Sequence, residues 1–203
     1  MLTVIPVASS EGEKKPITII FKGKGKTSED KQLAKREDCV ILYSDNGWLQ
    51  TQTSVQFLYR NFTREEKRKE ILVWDSYRCH YITEETKKAI GELDLVNIII
   101  PGGCTRVLQT CDVVWNSPIK AHLRTFWNQW MESGEKSYTK SGNLRSMTKT
   151  QLVNNIVAAW DMITPESIVK SFKICGQVLD INPDEINCMK RGQPCEEGLT
   201  KLK

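Results

Sequence analysis

The stretch Ile71–Asp75 most constrains the fold, because four consecutive apolar residues there end in a carboxylate. An unbroken apolar run this short is typical of a strand that is buried on both faces of a sheet. Thr83, followed by Glu84 and Glu85, predicts the start of a helix, and a second apolar strand follows at 96–100. Strand, helix and strand at this spacing predict a βαβ unit with parallel strands and a right-handed crossover.

The carboxyl ends of these two strands predict a functional site. Asp75 ends the first strand, and open α/β sheets bind their ligands where parallel strands end. Asp112 follows the second strand after a loop, so the same topology returns it to this edge. A single Asp after a strand is more often an ordinary turn residue. The prediction therefore depends on the two acids occurring together.

Three further strands and several helices are predicted around the βαβ unit. The segments 2–8 and 17–22 are rich in β-branched residues and are joined by turn-forming residues, which predicts an antiparallel hairpin. A third apolar segment at 39–43 predicts another strand. Apolar residues at helical spacing predict helices at 51–62 and 117–131.

The chain changes character after this core. Residues 133–147 are rich in Gly, Ser and Lys, which predicts a linker. Helix-capping signals and apolar stripes at helical spacing predict two helices within 148–176, and 177–203 reads as a loose tail. We therefore divide the chain into a partial core at 1–132, the linker, a C-terminal helical segment and the tail.

Charge alone does not identify a partner. The formal net charge is +4, which is too weakly basic to indicate nucleic acid by itself. One basic segment, 22–26, alternates glycine with Lys22, Lys24 and Lys26, and we call it the lysine loop. Such a flexible loop could contact phosphates as point charges or could be an ordinary solvated loop. No apolar run approaches the roughly 20 residues of a membrane helix, so no membrane partner is expected.

Several motifs resemble the DDE superfamily endonuclease domain of pogo- and Tigger-like transposases, which host proteins of the centromere-protein-B and jerky-like groups share. They are VWDSYRCH from Val73, IPGGCT from Ile100, LQTCDV from Leu108 and NSPIK from Asn116. The region 159–176 is similar to the segment that follows the catalytic core in this family. The motifs occur in the family's order and spacing, so the resemblance is specific.

The resemblance implies an RNase H-like α/β fold, a mixed sheet flanked by helices, with a C-terminal helical extension. It implies that Asp75 and Asp112 are the second and third acids of a triad that holds two Mg²⁺ ions for strand cleavage and transfer. Carboxylate oxygens suit this hard cation, and two metals can stabilise both the attacking and the leaving oxygen of a phosphoryl transfer. It also implies DNA as the partner and a nuclear location.

The first acid of the family lies on a central first strand, upstream of the segment that corresponds to 2–8, and this chain begins after that point. We therefore expect an N-terminally truncated core without that strand. The hairpin and the parallel pair then either join directly or stay apart as two half-sheets. We favour the second arrangement because the hairpin already fixes the register. The family's usual Leu-Gln-Pro-Leu-Asp also departs here to Leu-Gln-Thr-Cys-Asp, at 108–112.

Three functions follow from these patterns. The leading one is a transposase-derived DDE domain that associates with nucleic acid through the lysine loop, binds Mg²⁺ weakly or not at all, and is catalytically inactive as this chain. The second is an active Mg²⁺-dependent endonuclease, which needs a further acid; Asp45 and Glu11 are poor substitutes. The third is a domesticated protein-interaction module that uses the same fold without metal.

Overall fold

The computed structural model describes residues 2–63, 70–76, 83–133 and 136–177. The tail predicted at 177–203 lies outside the described residues except for Gln177. The described strands are β1 (Leu2–Ile5), β2 (Ile17–Lys22), β3 (Cys39–Ser44), β4 (Ile71–Asp75) and β5 (Val96–Ile100). The helices are α1 (Ser28–Leu33), α2 (Thr51–Asn61), α3 (Glu84–Glu92), α4 (Thr105–Leu108), α5 (Asn116–Ser133), α6 (Lys149–Asp161) and α7 (Pro165–Ile174). A π-helical turn, Cys111–Trp115, precedes α5.

The strands form two sheets. In the first, β1 pairs antiparallel with β2, and β2 pairs parallel with β3. In the second, β4 pairs parallel with β5, and Asp75 lies opposite Ile100 at the carboxyl ends. The hairpin and the βαβ unit are therefore both confirmed. Among the described strands no ladder joins β1 to β4, which is the arrangement of two separate sheets that we favoured.

Helices pack on both faces of the three-stranded sheet. Successive side chains of a strand point to opposite faces, so β2 contributes to two cores. Ile17, Ile19 and Phe21 pack with the π-helical turn and with α5, α6 and α7. Ile20 faces the other way, into a core that α2 and α3 share with β4. This second core is what holds the two-stranded sheet to the rest of the domain.

The β4–β5 pair is buried mainly on one face. Leu72 and Trp74 lie in the core with α2 and α3, whereas Ile71 is 60% exposed and Ile98 is 46% exposed. The prediction of a strand buried on both faces is therefore wrong for β4. In β5, Val96 and Ile98 are exposed on the same face, whereas Ile100 at its end is buried. The physical reason is that, among the described helices, α5, α6 and α7 pack their apolar residues on the three-stranded sheet and contribute none to the core of this pair.

The C-terminal helices have the predicted boundaries. Thr148 caps α6 in a reciprocal capping box with Gln151, and Thr164 caps α7, with Pro165 in its first turn. Buried residues of both helices share the core with β2, β3 and the π-helical turn. The division of the chain into four segments stays a prediction. This packing shows that α6 contributes buried residues to the same core as the sheet. No helix in the described ranges is long and apolar enough to cross a membrane.

The segment predicted as a linker is structured over its described part, 136–147. Tyr138 and Leu144 form an antiparallel bridge, and the Thr139 amide donates to the Asn143 carbonyl at 2.8 Å. Gly142 closes this turn with a φ of +80°, a conformation that side chains disfavour. We call residues 136–147 the basic turn, because its charged side chains are lysines and an arginine.

Candidate metal and nucleic-acid sites

Asp75 is positioned by its neighbour in the strand. The Trp74 ring stacks on Phe57 with 6.4 Å between centroids, and its Nε1 donates to Asn97 Oδ1 of β5 at 2.7 Å. These contacts bury Trp74 and fix the end of β4 against both α2 and β5. Asp75 is thereby held half-buried at the carboxyl end of the parallel pair, as the sequence predicted.

Asp112 lies in the π-helical turn, whereas the sequence predicted a loop at this position. The main-chain N–H of Asn116 donates to the Cys111 carbonyl five residues back, which widens the turn that leads into α5. The Asn116 side chain donates through Nδ2 to Asp112 Oδ1 at 2.7 Å and orients this exposed carboxylate. Turns of this kind occur often at functional sites. The four-residue spacing of Asp112 and Asn116 was the signal that could have identified this partner.

Trp115 anchors the π-helical turn in the core. It is 1% exposed, and its ring lies 5.6 Å from Trp160 and 6.0 Å from Phe172, centroid to centroid. Its Nε1 donates to Ser171 Oγ at 3.0 Å. The position of Asp112 therefore depends on α6 and α7, which the sequence assigned to a separate segment.

The Cys111 thiol experiences the charges of both acids. Burial raises the pKa of its thiol to about 12, and the negative charges of Asp112 and Asp75 contribute in the same direction. Its Sγ lies 3.9 Å from the carbonyl oxygen of Pro6. Both carboxylates thus act on one thiol, which stays protonated at neutral pH. That they share a cation stays a prediction.

The residues fit Mg²⁺ in kind but supply few ligands. Asp75 and Asp112 offer the carboxylate oxygens that this cation prefers. Within the described ranges no group of three or more His, Cys, Asp or Glu side chains is placed to hold a metal ion. Mg²⁺ gives up its water reluctantly, so a pair of carboxylates makes a weak site.

The lysine loop after β2 is anchored, whereas the sequence predicted a flexible one. The Gly23 amide donates to the Ser44 carbonyl at 2.9 Å. Gly25 has a φ of +64°, and a Cβ at this position would lie 2.6 Å from the Tyr43 ring. The backbone therefore runs flat against the ring, as only glycine allows. The loop presents Lys22, Lys24 and Lys26 with all three side chains exposed.

A buried carboxylate joins this loop to α6. Asp30 of α1 is 2% exposed and accepts from Lys149 Nζ at 2.6 Å, Tyr43 Oη at 2.8 Å and the Thr27 amide at 3.0 Å. Burial alone would raise the pKa of Asp30, but hydrogen bonds from Lys149, Thr27 and Tyr43 outweigh it and hold the pKa well below its usual range. We call these residues the Asp30 network. Neither this network nor α1 was predicted from the sequence.

Two small sheets flanked by helices, with Asp75 at the carboxyl end of the parallel pair, correspond to an RNase H-like α/β domain. Comparison with known families identifies the family to which this domain belongs. The family model described as "DDE superfamily endonuclease" matches residues 2–172, so the chain belongs to the DDE superfamily endonuclease family. The resemblance seen in the sequence motifs is thereby confirmed.

Two curated relatives carry the name "Pogo transposable element with KRAB domain". The one from Mus musculus is 31% identical over 105 residues, which are 52% of this chain and 17% of the relative. The one from Homo sapiens is 30% identical over 109 residues, 54% of this chain and 18% of the relative. The match therefore spans less than a fifth of either relative. No solved structure matches the chain.

Proposed function

We propose that this chain carries a transposase-derived DDE domain that binds DNA in the nucleus and that, as the 203-residue polypeptide, does not cleave it. The observation that carries the proposal is the family match over residues 2–172, combined with a pair of acids that supplies few ligands for a metal ion. The two relatives named as pogo transposable elements support transposase descent. A nuclear location follows from DNA as the partner.

DNA contact is assigned to the lysine loop. Lys22, Lys24 and Lys26 are exposed on a backbone that Ser44 and Tyr43 hold in place, so little loop entropy is lost on binding. Lysines contact phosphates as point charges and release condensed counterions. Contacts of this kind position a duplex but do not read its sequence.

The acid pair is assigned to weak divalent-metal binding. Asp75 and Asp112 are the residues that would hold the ion, and the Asn116 side chain would keep one oxygen of Asp112 oriented. A divalent ion, when bound, would supply Lewis-acid stabilisation of the reacting phosphate oxygens. The part played by this chain is to fix Asp75 through Trp74 and Asp112 through Trp115. Two fixed carboxylates are too few to strip Mg²⁺ of its water.

Neutralising the lysine loop should weaken DNA binding in a salt-dependent manner. For the variant Lys22→Gln/Lys24→Gln/Lys26→Gln, we expect the slope of log K against log salt to become shallower by up to about 0.9 for each phosphate that the loop no longer neutralises. The measurement is fluorescence anisotropy of a mixed-sequence duplex between about 50 and 200 mM salt. Over this range, a protein that contacts about 6–10 phosphates loses a factor of about 10³–10⁵ in affinity.

The matched control for the loop variant removes three exposed charges elsewhere, as Lys87→Gln/Lys88→Gln/Lys170→Gln on α3 and α7. This control should bind as the wild type does. Sequence-selective, salt-insensitive binding by the wild-type chain, or equal slopes for the loop variant and the control, would contradict the assignment of the lysine loop.

Cleavage should be undetectable with Mg²⁺. We expect residues 1–203 to leave a supercoiled plasmid and a transposon-end duplex intact, and Asp75→Asn and Asp112→Asn to behave as the wild type does. Gel assays with 5′-labelled strands make this measurement. Mg²⁺-dependent nicking that disappears in Asp75→Asn but persists in the exposed-acid control Asp161→Asn would instead establish an active endonuclease.

The second candidate is the protein-interaction module, which the open face of the β4–β5 pair favours. Ile71, Val96 and Ile98 are 60%, 44% and 46% exposed there, and neighbouring apolar side chains left in water are typical of interaction surfaces. The DNA titration separates the two candidates, because this module requires no affinity for nucleic acid.

A further inference from the structure

We propose that the outer face of α5 and the basic turn form a second nucleic-acid surface, which holds the phosphates of a single strand and stacks an unpaired base on an exposed ring. The surface consists of Lys120, Arg124 and Trp127 on α5 and of Tyr138, Lys140 and Arg145 in the turn. It rests on the proposed function because it requires DNA to be the partner. It goes beyond that function by naming a second surface and the form of DNA that it takes.

The first observation is charge of a single sign. The sequence has no Asp or Glu from Val113 to Met131 or from Lys136 to Trp160, and Glu132 is the acid that ends the first of these stretches. The two stretches contain five exposed cations: Lys120, Arg124, Lys136, Lys140 and Arg145. In the described part of the chain none of these five forms an ion pair. Unneutralised cations concentrated on one face are the electrostatic footprint of a polyanion site.

The second observation is that α5 and the basic turn lie side by side. Positions 120, 124 and 127 share one face of α5, since they are separated by four and three residues. The Lys136 side chain donates to the Met131 carbonyl in the last turn of the helix. Met147, at the end of the basic turn, lines an apolar groove of about 250 Å³ together with Trp127 and Leu123. Both ends of the basic turn therefore lie beside α5, and in this proposal the cations of both elements border one surface.

The third observation is two exposed aromatic rings among these cations. Trp127 is 45% exposed and Tyr138 is 59% exposed. Trp127 rests against Trp130, with 5.2 Å between ring centroids, which supports it from behind. A positively charged surface with aromatic side chains is the pattern that holds single-stranded nucleic acid, because the bases stack on the rings while the backbone follows the charges. A duplex, whose bases are already stacked, would not use the rings.

The new surface adjoins the lysine loop. The basic turn leads directly into α6 at Lys149, whose Nζ is bound by Asp30 and lies 5.6 Å from the Tyr43 ring centroid. Gly25 of the lysine loop lies on that same ring. The Asp30 network therefore holds the two basic segments next to each other, so one bound molecule can reach both.

The test uses variants that remove exposed cations or an exposed ring of this surface. The control removes cations from a helix on the other face of the sheet. Arg124→Gln/Lys140→Gln removes two exposed cations, and Lys87→Gln/Lys88→Gln removes two from α3, which packs on the other face of the sheet. With a labelled oligo(dT) in anisotropy titrations, we expect the first variant to make the salt slope shallower by about 1.4, or 0.7 for each single-strand phosphate. The control should bind as the wild type does, and thermal melts show whether each variant is folded.

The ring is tested with Tyr138→Leu, because the hydrogen bond between Tyr138 and Arg145 uses the main-chain oxygen of Tyr138 and survives the change. We expect single-strand affinity to fall by about fivefold or more through weaker stacking, while duplex affinity is unchanged. If Arg124→Gln/Lys140→Gln binds like its control while the lysine-loop variant is impaired, this proposal is wrong and the proposed function stands. If the wild type binds neither form of DNA, both fail. Equal weakening of duplex and single strand with no effect of Tyr138→Leu would overturn the assignment to single strands.

Discussion

Replacing Lys149 with methionine is expected to lower the free energy of unfolding by about 3 kcal/mol, because it leaves a buried carboxylate without its cation. Asp30 is 2% exposed and lies 2.6 Å from Lys149 Nζ. Methionine keeps most of the aliphatic stem, so the decrease measures the loss of the charge, which also lies 5.5 Å from the Phe21 ring centroid and 5.6 Å from that of Tyr43. Tyr43 and Thr27 still donate to Asp30, which keeps the cost at the low end of the range for a broken buried pair. Urea unfolding measures it.

The control for this variant is Lys170→Met, which removes an exposed cation of α7 and should change the free energy of unfolding by no more than about 0.5 kcal/mol. If Lys149→Met costs as little as Lys170→Met, the Asp30 network does not hold α6 against α1 and β3. The adjacency of the two basic segments would then lose its support as well.

The pH dependence of stability provides a companion measurement on the same pair. The folded-state pKa of Asp30 lies below that of the unfolded chain, so the network stabilises fully above the unfolded value of about 3.9. This contribution is lost as the pH falls below that value, because the unfolded chain then binds the proton more readily. Wild-type stability should decrease from about pH 5 downward. Lys149→Met should decrease less, since its carboxylate has lost a partner that lowered the pKa.

The sequence predicted those parts of the fold in which local pattern and tertiary environment agree. The hairpin, the βαβ unit, the Thr148 capping box and the Pro165 helix start were all identifiable, because each consists of local patterns that follow one another directly along the chain. The burial of β4 was predicted wrongly because an apolar run shows only which side chains prefer burial. Whether helices cover both faces depends on where α5, α6 and α7 pack, and no local pattern contains that information.

The candidate sites divide in the same manner. Asp75 follows from the end of a strand, and the family motifs identify Asp112. The widened turn around Asp112 and the anchoring of the lysine loop on Tyr43 were not predicted, because both depend on packing between distant segments. The ion pair of Asp30 and Lys149 joins residues 119 positions apart, so no spacing rule connects them. A Thr-x-x-Asp capping pattern before α1 was present and could have predicted that helix.

Truncating Trp115 to alanine should have the largest effect of any single change proposed for this chain, about 4 kcal/mol of unfolding free energy. The residue is 1% exposed and contacts both Trp160 and Phe172, and removing a buried aromatic side chain costs about 3–5 kcal/mol through reduced burial and the cavity that remains. The control is Trp48→Ala, since Trp48 is 46% exposed and its truncation removes much less buried surface. Denaturant unfolding of both variants gives the comparison.

Trp115→Phe separates ring packing from the hydrogen bond at the same position. Phenylalanine keeps an aromatic ring beside Trp160 but removes the donor to Ser171 Oγ, which continues to donate to the Ile168 carbonyl at 2.6 Å. We expect it to cost less than alanine does, with about 1 kcal/mol from the missing hydrogen bond and the rest from the smaller ring. Because Trp115 belongs to the same turn as Asp112, amide hydrogen exchange at 112–116 should accelerate in proportion to the loss of stability. If Trp115→Ala unfolds like Trp48→Ala, the core does not anchor this turn, and Asp112 has no fixed position from which to face Asp75.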